Sequence, residues 1–471
     1  LGQDDSAELV RVLWTNGLAQ DHVNVQKNVA ICERMVLKSS CPYVYTMVDG
    51  AFQFFTDCLW AAPLGLQTSE GGVAPFREWE YLRIPGESLT STDGQYCVQL
   101  TEELWEAAYF DLVQLIAVDH PADVEVYTNE KVGPPEIASP KIHTVRERRL
   151  PQAAVDPHGN DILAKLRRRD GDFVRAFDKR IRQGLTPLHF IELDLGALQS
   201  PQQVTLFLTG WIYPTDTSLN VSFYQDPEVD GPRMPSVWVP DANGQWTETI
   251  AYMGFPGGKT KTIAVDLSKA FLTTDYRVRI MTTAEIYWDE AFFTVDEPPV
   301  DVRQTALELQ SAELFYRGFS AILPVRENSP RMYDAAVITH TPQWPAMHGR
   351  FTRFGDVTEL LNKSDDHLAV IGSGDAITLW FVEPTEPVPS GWKRDFILHS
   401  VGWDKDADLN TIYGQTAEPL PFRAMRSYPP GPDETRPDEA RETAAAYAEY
   451  LGRFQIREQN PQTYWRKLMK D

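Results

Sequence analysis

The sequence predicts a mainly β protein, several consecutive β-sandwich domains with a jelly roll at the centre and a short helical tail at the C-terminus. Three observations lead there. Residues 188–295 alternate with period two: Val204, Leu206 and Leu208 point one way, Thr205, Phe207 and Thr209 the other, and Ile263, Val265 and Leu267 repeat the pattern. That periodicity is what a sheet with one wet face requires. Turn signals punctuate the runs at Leu195-Gly196, Tyr213-Pro214, Asp230-Gly231-Pro232, Asn243-Gly244 and Pro256-Gly257-Gly258. About eight short strands in roughly 110 residues is the density of an antiparallel sandwich of jelly-roll type. The whole chain, at 471 residues, is too long for one ordinary core, and three or so domains are expected.

Taken in order, residues 8–26 read as a hairpin. Val10, Val12 and Trp14 lead into Asn16-Gly17, the strongest two-residue turn signal, and Val23 and Val25 return. The phrase Val10-Arg-Val-Leu-Trp-Thr-Asn-Gly-Leu-Ala-Gln20 resembles the end of the ASPIC and UnbV module, with Thr15 where that family has proline. The resemblance continues through Ser40-Cys-Pro-Tyr43, Thr101-Glu-Glu-Leu-Trp105, Tyr287-Trp-Asp289, Tyr316-Arg-Gly-Phe-Ser320 and Glu418-Pro-Leu-Pro-Phe422. It implies the C-terminal portion of a bacterial, cartilage acidic protein-like chain, secreted, at the cell surface or periplasmic, with a propeller of FG-GAP repeats upstream. No FG-GAP repeat occurs in these residues.

Residues 1–30 are thus expected to end such a module, and residues 31–150 to form a β-rich domain. Within it Tyr43, Tyr45 and Met47 alternate up to Asp49-Gly50, and Asp93-Gly94 precedes Tyr96, Val98 and Leu100. Residues 151–185, charged and broken by proline, read as a linker with a short helix around residues 161–169. The basic run Lys165-Leu-Arg-Arg-Arg169 there reads first as a solvated or salt-bridged face. Residues 186–297 are the jelly roll. Its opening phrase Glu192-Leu-Asp-Leu-Gly196 resembles the first core strand of galactose-binding-like domains. Residues 298–430 return to short strands. The stretch Asp93-Gly-Gln-Tyr-Cys-Val-Gln-Leu100 is echoed by Gly374-Asp-Ala-Ile-Thr-Leu-Trp-Phe381, which suggests two related sandwiches flanking the central one. In residues 431–471, Ala444, Tyr447, Leu451 and Phe454 recur at helical spacing, a stripe expected to dock on the chain's own body.

Composition narrows function. With 44 basic and 67 acidic residues the net charge is −23, so nucleic acid and anionic lipid are unexpected partners. No apolar run is long enough to cross a bilayer as a helix. Cys32, Cys41, Cys58 and Cys97 lack CxxC spacing. They allow two disulfides, Cys32–Cys41 favoured by loop length and Cys58–Cys97 the alternative, or buried free thiols. Gly254-Phe-Pro-Gly-Gly-Lys259-Thr260 looks like a phosphate loop one residue short. It leads into a strand rather than a helix, so it reads as a hairpin turn.

Two constellations remain. Asp404, Asp406, Asp408 and Asn410 place oxygens at alternate positions, as the first half of a calcium loop does. Leu409 replaces its glycine and Gln415 its closing glutamate, so the alternative is a polar loop whose aspartates cap backbone N–H groups. Trp211, Tyr213, Asp216, Trp288 and Asp289 supply flat aromatics and carboxylates, as sugar recognition requires, and core packing is the competing role. The functional expectation is binding or assembly, with a glycan or protein partner at the cell surface. The alternatives are a carbohydrate-active enzyme or accessory module, and a structural subunit of an extracellular complex.

Overall fold

In the computed structural model, which describes residues 4–32, 36–39 and 42–462, two β-sandwiches share the chain unequally. The larger is assembled from two distant stretches. Strand Gln95–Thr101 pairs antiparallel with Asp375–Val382, setting Leu100 against Ile377 and Val98 against Leu379. In the facing sheet Glu106–Pro121 pairs along its length with Trp392–Asp406. Leu314 and Phe110 join these side chains in one core between the sheets.

The two flanking sandwiches expected from sequence are therefore one. The echoed phrases at residues 93–100 and 374–381 lie side by side in a single sheet, each half supplying the other's neighbour. Neither half can bury its own apolar face, because the central strands of both sheets come one from each. Sequence periodicity shows which face of a strand is apolar but not which strand covers it.

The second sandwich lies between these halves in the chain. One sheet runs through Ala153–Val155, Leu185–Asp194, Arg277–Ala284, Ser236–Pro240 and Trp246–Ile250, and the other through Lys261–Asp266, Val204–Ile212 and Ile286–Val295. Val204, Leu206, Leu208, Ile263 and Val265 face the core, as the alternation predicts. The opposite face is not wet. Phe207 and Phe292 stack with centroids 4.7 Å apart, and Tyr127 and Val145 cover them.

The segment expected as a linker, residues 151–185, belongs to this sandwich. Its strand Ala153–Val155 extends one sheet, while Arg167 and Val174 bridge Glu290 and Trp288 on the edge of the other. A 3-10 turn, Leu163–Leu166, stands where a helix was predicted. The basic run is salt-bridged as read: Lys165 to Asp172 at 2.8 Å and Arg168 to Asp170 at 2.7 Å.

The hairpin Ser6–Leu13 with Ala19–Gln26 turns at Asn16-Gly17, where Gly17 takes the left-handed backbone the turn requires. Helix Ala444–Arg453 seats Tyr447 and Tyr450 in the core of the larger sandwich, with Phe454 just beyond its end. Among the described residues no helix is long and apolar enough to cross a membrane.

Because the larger core is shared, the chain truncated after residue 300 is expected to lack a cooperative melt for residues 43–127. Thermal circular dichroism of that truncation against the full chain checks this, and an undiminished high-temperature transition would contradict the shared core.

Candidate functional site

The two sandwiches meet through buried ion pairs. Asp57 ends the strand Ala51–Asp57 of the larger sandwich, and Lys261 begins Lys261–Asp266 of the smaller. Both are buried and paired. The Lys259 backbone N–H donates to both Asp57 oxygens at 3.1 Å, and the Trp60 indole N–H donates at 2.9 Å. Asp57 thus fills the place a phosphate would take in the glycine-rich turn, and the resemblance to a phosphate loop acquires a physical meaning: the turn cradles an internal anion. Gly258 has φ of +71°, and a Cβ there would sit 2.1 Å from Asp57 Oδ2, so the approach needs glycine.

A second junction surrounds Lys38, also buried. Its ammonium pairs with Asp408 and lies 3.3 Å from Asp216 Oδ2. Burial opposes charge on Lys38, but Asp406, Asp216 and Asp408 outweigh it and the net shift is upward. Asp408 Oδ1 also accepts from Ser218 Oγ at 2.7 Å and from the Asn410 N–H at 2.8 Å.

These contacts divide the predicted calcium set. Asp406 and Asp408 serve an internal lysine, and Asn410 caps Asp408 through its backbone. Asp404 instead joins Glu102 and Glu106, their carboxylate oxygens within 4.8 Å of one another and all buried. Glu102 Oε1 accepts from the Leu104 N–H at 3.1 Å, whereas Oε2 has no hydrogen-bond partner among the described residues. Burial, and next the charge of Glu106, raises the Glu102 carboxyl well above its ordinary value.

The predicted sugar set divides as well. Trp288 packs in the core of the smaller sandwich. Asp289 is buried and accepts from the N–H groups of Gly171 at 2.9 Å and Asp170 at 3.3 Å, tying down the segment over the sheet edge. Asp216 caps helix Thr217–Gln225 just past the Tyr213-Pro214 turn, accepting from Leu219 N–H at 2.9 Å. An aspartate ahead of Thr217 and Ser218 was the helix signal in the sequence. Trp211 is only 5% exposed, stacks on Tyr287 at 4.6 Å, and donates its indole N–H to the Asn328 carbonyl at 2.8 Å. The indoles are therefore packed, not presented as a stacking platform.

Trp211 and Tyr213 do share a site, lining a recessed cavity of about 180 Å³ with Leu37, Pro214, Lys259 and Arg331. The cavity lies where the smaller sandwich meets the hairpin of Phe319–Ile322 and Tyr333–Thr339. The Lys259 ammonium lies 5.7 Å from the Tyr43 ring centroid and 5.5 Å from that of Tyr333. Burial lowers its pKa to about 8, against the pull of Asp57 and with the nearby charges of Arg331 and Lys261. Among the described residues neither the Lys259 ammonium nor the Arg331 guanidinium has an acidic or carbonyl partner. Sequence reasoning set Lys259 aside with the phosphate-loop resemblance and had no signal for Arg331, which arrives from a distant hairpin.

Of the cysteines, Cys58 and Cys97 are buried free thiols, so the bridge offered as the alternative does not form. Cys32 is exposed and free, and its favoured partner, Cys41, lies outside the described residues. Burial raises the Cys97 thiol to about 12, which makes it unreactive.

Compared with known proteins, the chain matches no family model, no curated protein and no solved structure.

Two predictions follow from these junctions. Replacing Lys261 with Met strands the Asp57 carboxylate and is expected to cost about 3–5 kcal/mol in urea unfolding, since half of a buried pair is removed. Restoring stability with Asp57→Asn added would confirm the pair as the cause. Glu102 holds its proton in the folded state at pH values where the unfolded chain, with a carboxyl near 4.5, has lost it. The folded state then binds more protons, so this group makes stability fall as pH rises above about 4.5. Glu102→Gln should flatten that slope in chemical denaturation between pH 5 and 8 without added metal.

Proposed function

We propose that the protein acts by binding, and that its ligand is a small anion-bearing molecule held in the cavity of Trp211, Tyr213, Lys259 and Arg331. One observation carries this reading: Lys259, whose acidic neighbour Asp57 is paired with Lys261, and Arg331 line one recessed cavity in a chain of net charge −23. A buried charge without a partner is unfavourable, so an anionic ligand there recovers free energy that the unliganded fold forgoes. The cavity is smaller than the roughly 300–1,000 Å³ of drug-sized pockets, which points to a ligand of few heavy atoms. Its charged lining is cationic, whereas glycoside hydrolysis needs two facing carboxylates, which favours binding over the enzyme alternative. The glycan expectation narrows to an acidic monosaccharide, held through its carboxylate with Tyr213 at the wall. Extracellular placement rests on the resemblance of residues 10–20 to the ASPIC and UnbV module, since free Cys58 and Cys97 remove one ground for an oxidising compartment.

Calcium is proposed at Glu102, Glu106 and Asp404 rather than along the aspartate run. A bound cation keeps these carboxylates ionised, so added calcium would reverse the pH slope attributed to Glu102.

The anion site is tested by calorimetric titration with inorganic phosphate and with glucuronate. Binding to the native chain is expected, with Lys259→Met and Arg331→Ala each weakening it at least about tenfold, or about 1.4 kcal/mol. Lys259→Met should also raise the thermal midpoint, because it removes a desolvated charge. Absence of binding to the native chain, or binding by both variants as tight as by the native chain, would overturn the reading.

A further inference from the structure

We infer that Lys259 holds small aldehyde or keto acids covalently, as an imine, with their carboxylate on Arg331; this rests on the anion-binding reading above. The geometry is that of a lysine whose amine is not spent on structure. Its own backbone N–H and the ammonium of Lys261, two residues on, both serve Asp57, and a further contact comes from Trp60. The Lys259 side chain is left lining the cavity beside two phenol rings. Those phenols bond to each other through their hydroxyls, and among the described residues no hydrogen bond joins either of them to the amine.

The charged and titratable groups around this amine are Asp57, Lys261, Arg331, Tyr43 and Tyr333. Burial in an apolar wall and neighbouring cations are the two influences that make a lysine amine available as a nucleophile. At pH 8 about half of such amines are neutral, against fewer than about one in a hundred for an ordinary lysine. Both Tyr43 and Tyr333 have pKa values raised by burial, so they stay neutral and compete for no proton at that pH.

The chemistry balances without an added reagent. The Lys259 nitrogen lone pair forms a bond to the carbonyl carbon while the C=O π pair moves to oxygen. The two amine protons pass to that oxygen, the C–O bond breaks, and water leaves as the C=N bond forms. The Arg331 guanidinium takes the carboxylate in a forked contact, which supplies selectivity for an acid over a neutral carbonyl. A cavity of about 180 Å³ suits a ligand of this size.

The test uses the full chain with glyoxylate as the probe, acetaldehyde as the neutral comparison, and cyanoborohydride to reduce any imine. Peptide mass mapping is expected to place the reduced adduct on Lys259 in preference to exposed lysines such as Lys179. Glyoxylate should label it at least about tenfold faster than acetaldehyde, and inorganic phosphate should protect it. Arg331→Ala should remove the preference for glyoxylate. Lys259→Arg should abolish the adduct, and a native circular dichroism spectrum with a cooperative melt shows that the variant is folded. Labelling confined to exposed lysines, with phosphate still bound in the cavity, would overturn the imine and leave the anion site standing. Binding of neither phosphate nor glyoxylate would overturn both.

Discussion

The buried pair of Asp57 and Lys261 is the constraint on which the relation of the two sandwiches depends. Each charge belongs to a different sandwich, and each would be strongly unfavourable in its own core without the other. The Lys38 cluster repeats the device, drawing Asp216 from the smaller sandwich and Asp406 and Asp408 from the larger. Ionic contacts of this kind add little net stability over apolar packing, but they demand one geometry. A slipped or rotated junction would leave several buried charges unpaired at once. The polar junction therefore specifies arrangement, and the apolar cores on either side supply most of the driving force.

That constraint also shapes the cavity. The turn that brings Lys261 to Asp57 requires glycine at position 258, and it leaves Lys259 between the two sandwiches. The hairpin carrying Arg331 and Tyr333 reaches the same place from the larger sandwich, where Asn328 receives the Trp211 indole N–H. Cationic side chains thus line a recess at a boundary between domains. Stability is forgone locally at Lys259 and supplied elsewhere, a pattern expected where a site serves a ligand.

The competing roles set out for the aromatic and acidic residues resolve by burial. Trp288 is core, Asp289 anchors a covering segment, and Asp216 is at once helix cap and partner of Lys38. The strand of Val204, Leu206 and Leu208 runs on through Ile212, so Trp211 lies within it and its ring lies against Tyr287 instead of solvent. The side chains that most resemble an open site, Lys259 and Arg331, carry no motif. Lysine and arginine are unremarkable in sequence; what distinguishes Lys259 is burial without an ion pair, and what distinguishes Arg331 is its place on the same cavity.

Much was therefore determined by sequence alone. Period-two alternation set the β class and the inward residues Val204, Leu206 and Leu208, because burial on one face follows directly from the pleat. The Asn16-Gly17 turn, the helical stripe of Tyr447 and Phe454, and the salt-bridged basic run were equally legible, since turn chemistry, helical period and neighbouring charge are local. Tertiary structure alone decided that residues 93–121 and 375–406 share one sandwich, that residues 151–185 are a wall and not a linker, and that Asp57, Lys259, Lys261 and Arg331 converge. Those outcomes depend on pairings between residues far apart in the chain. A strand's own sequence records the chemistry of its faces, whereas the identity of its partner is settled only when the whole chain has chosen which faces to bury.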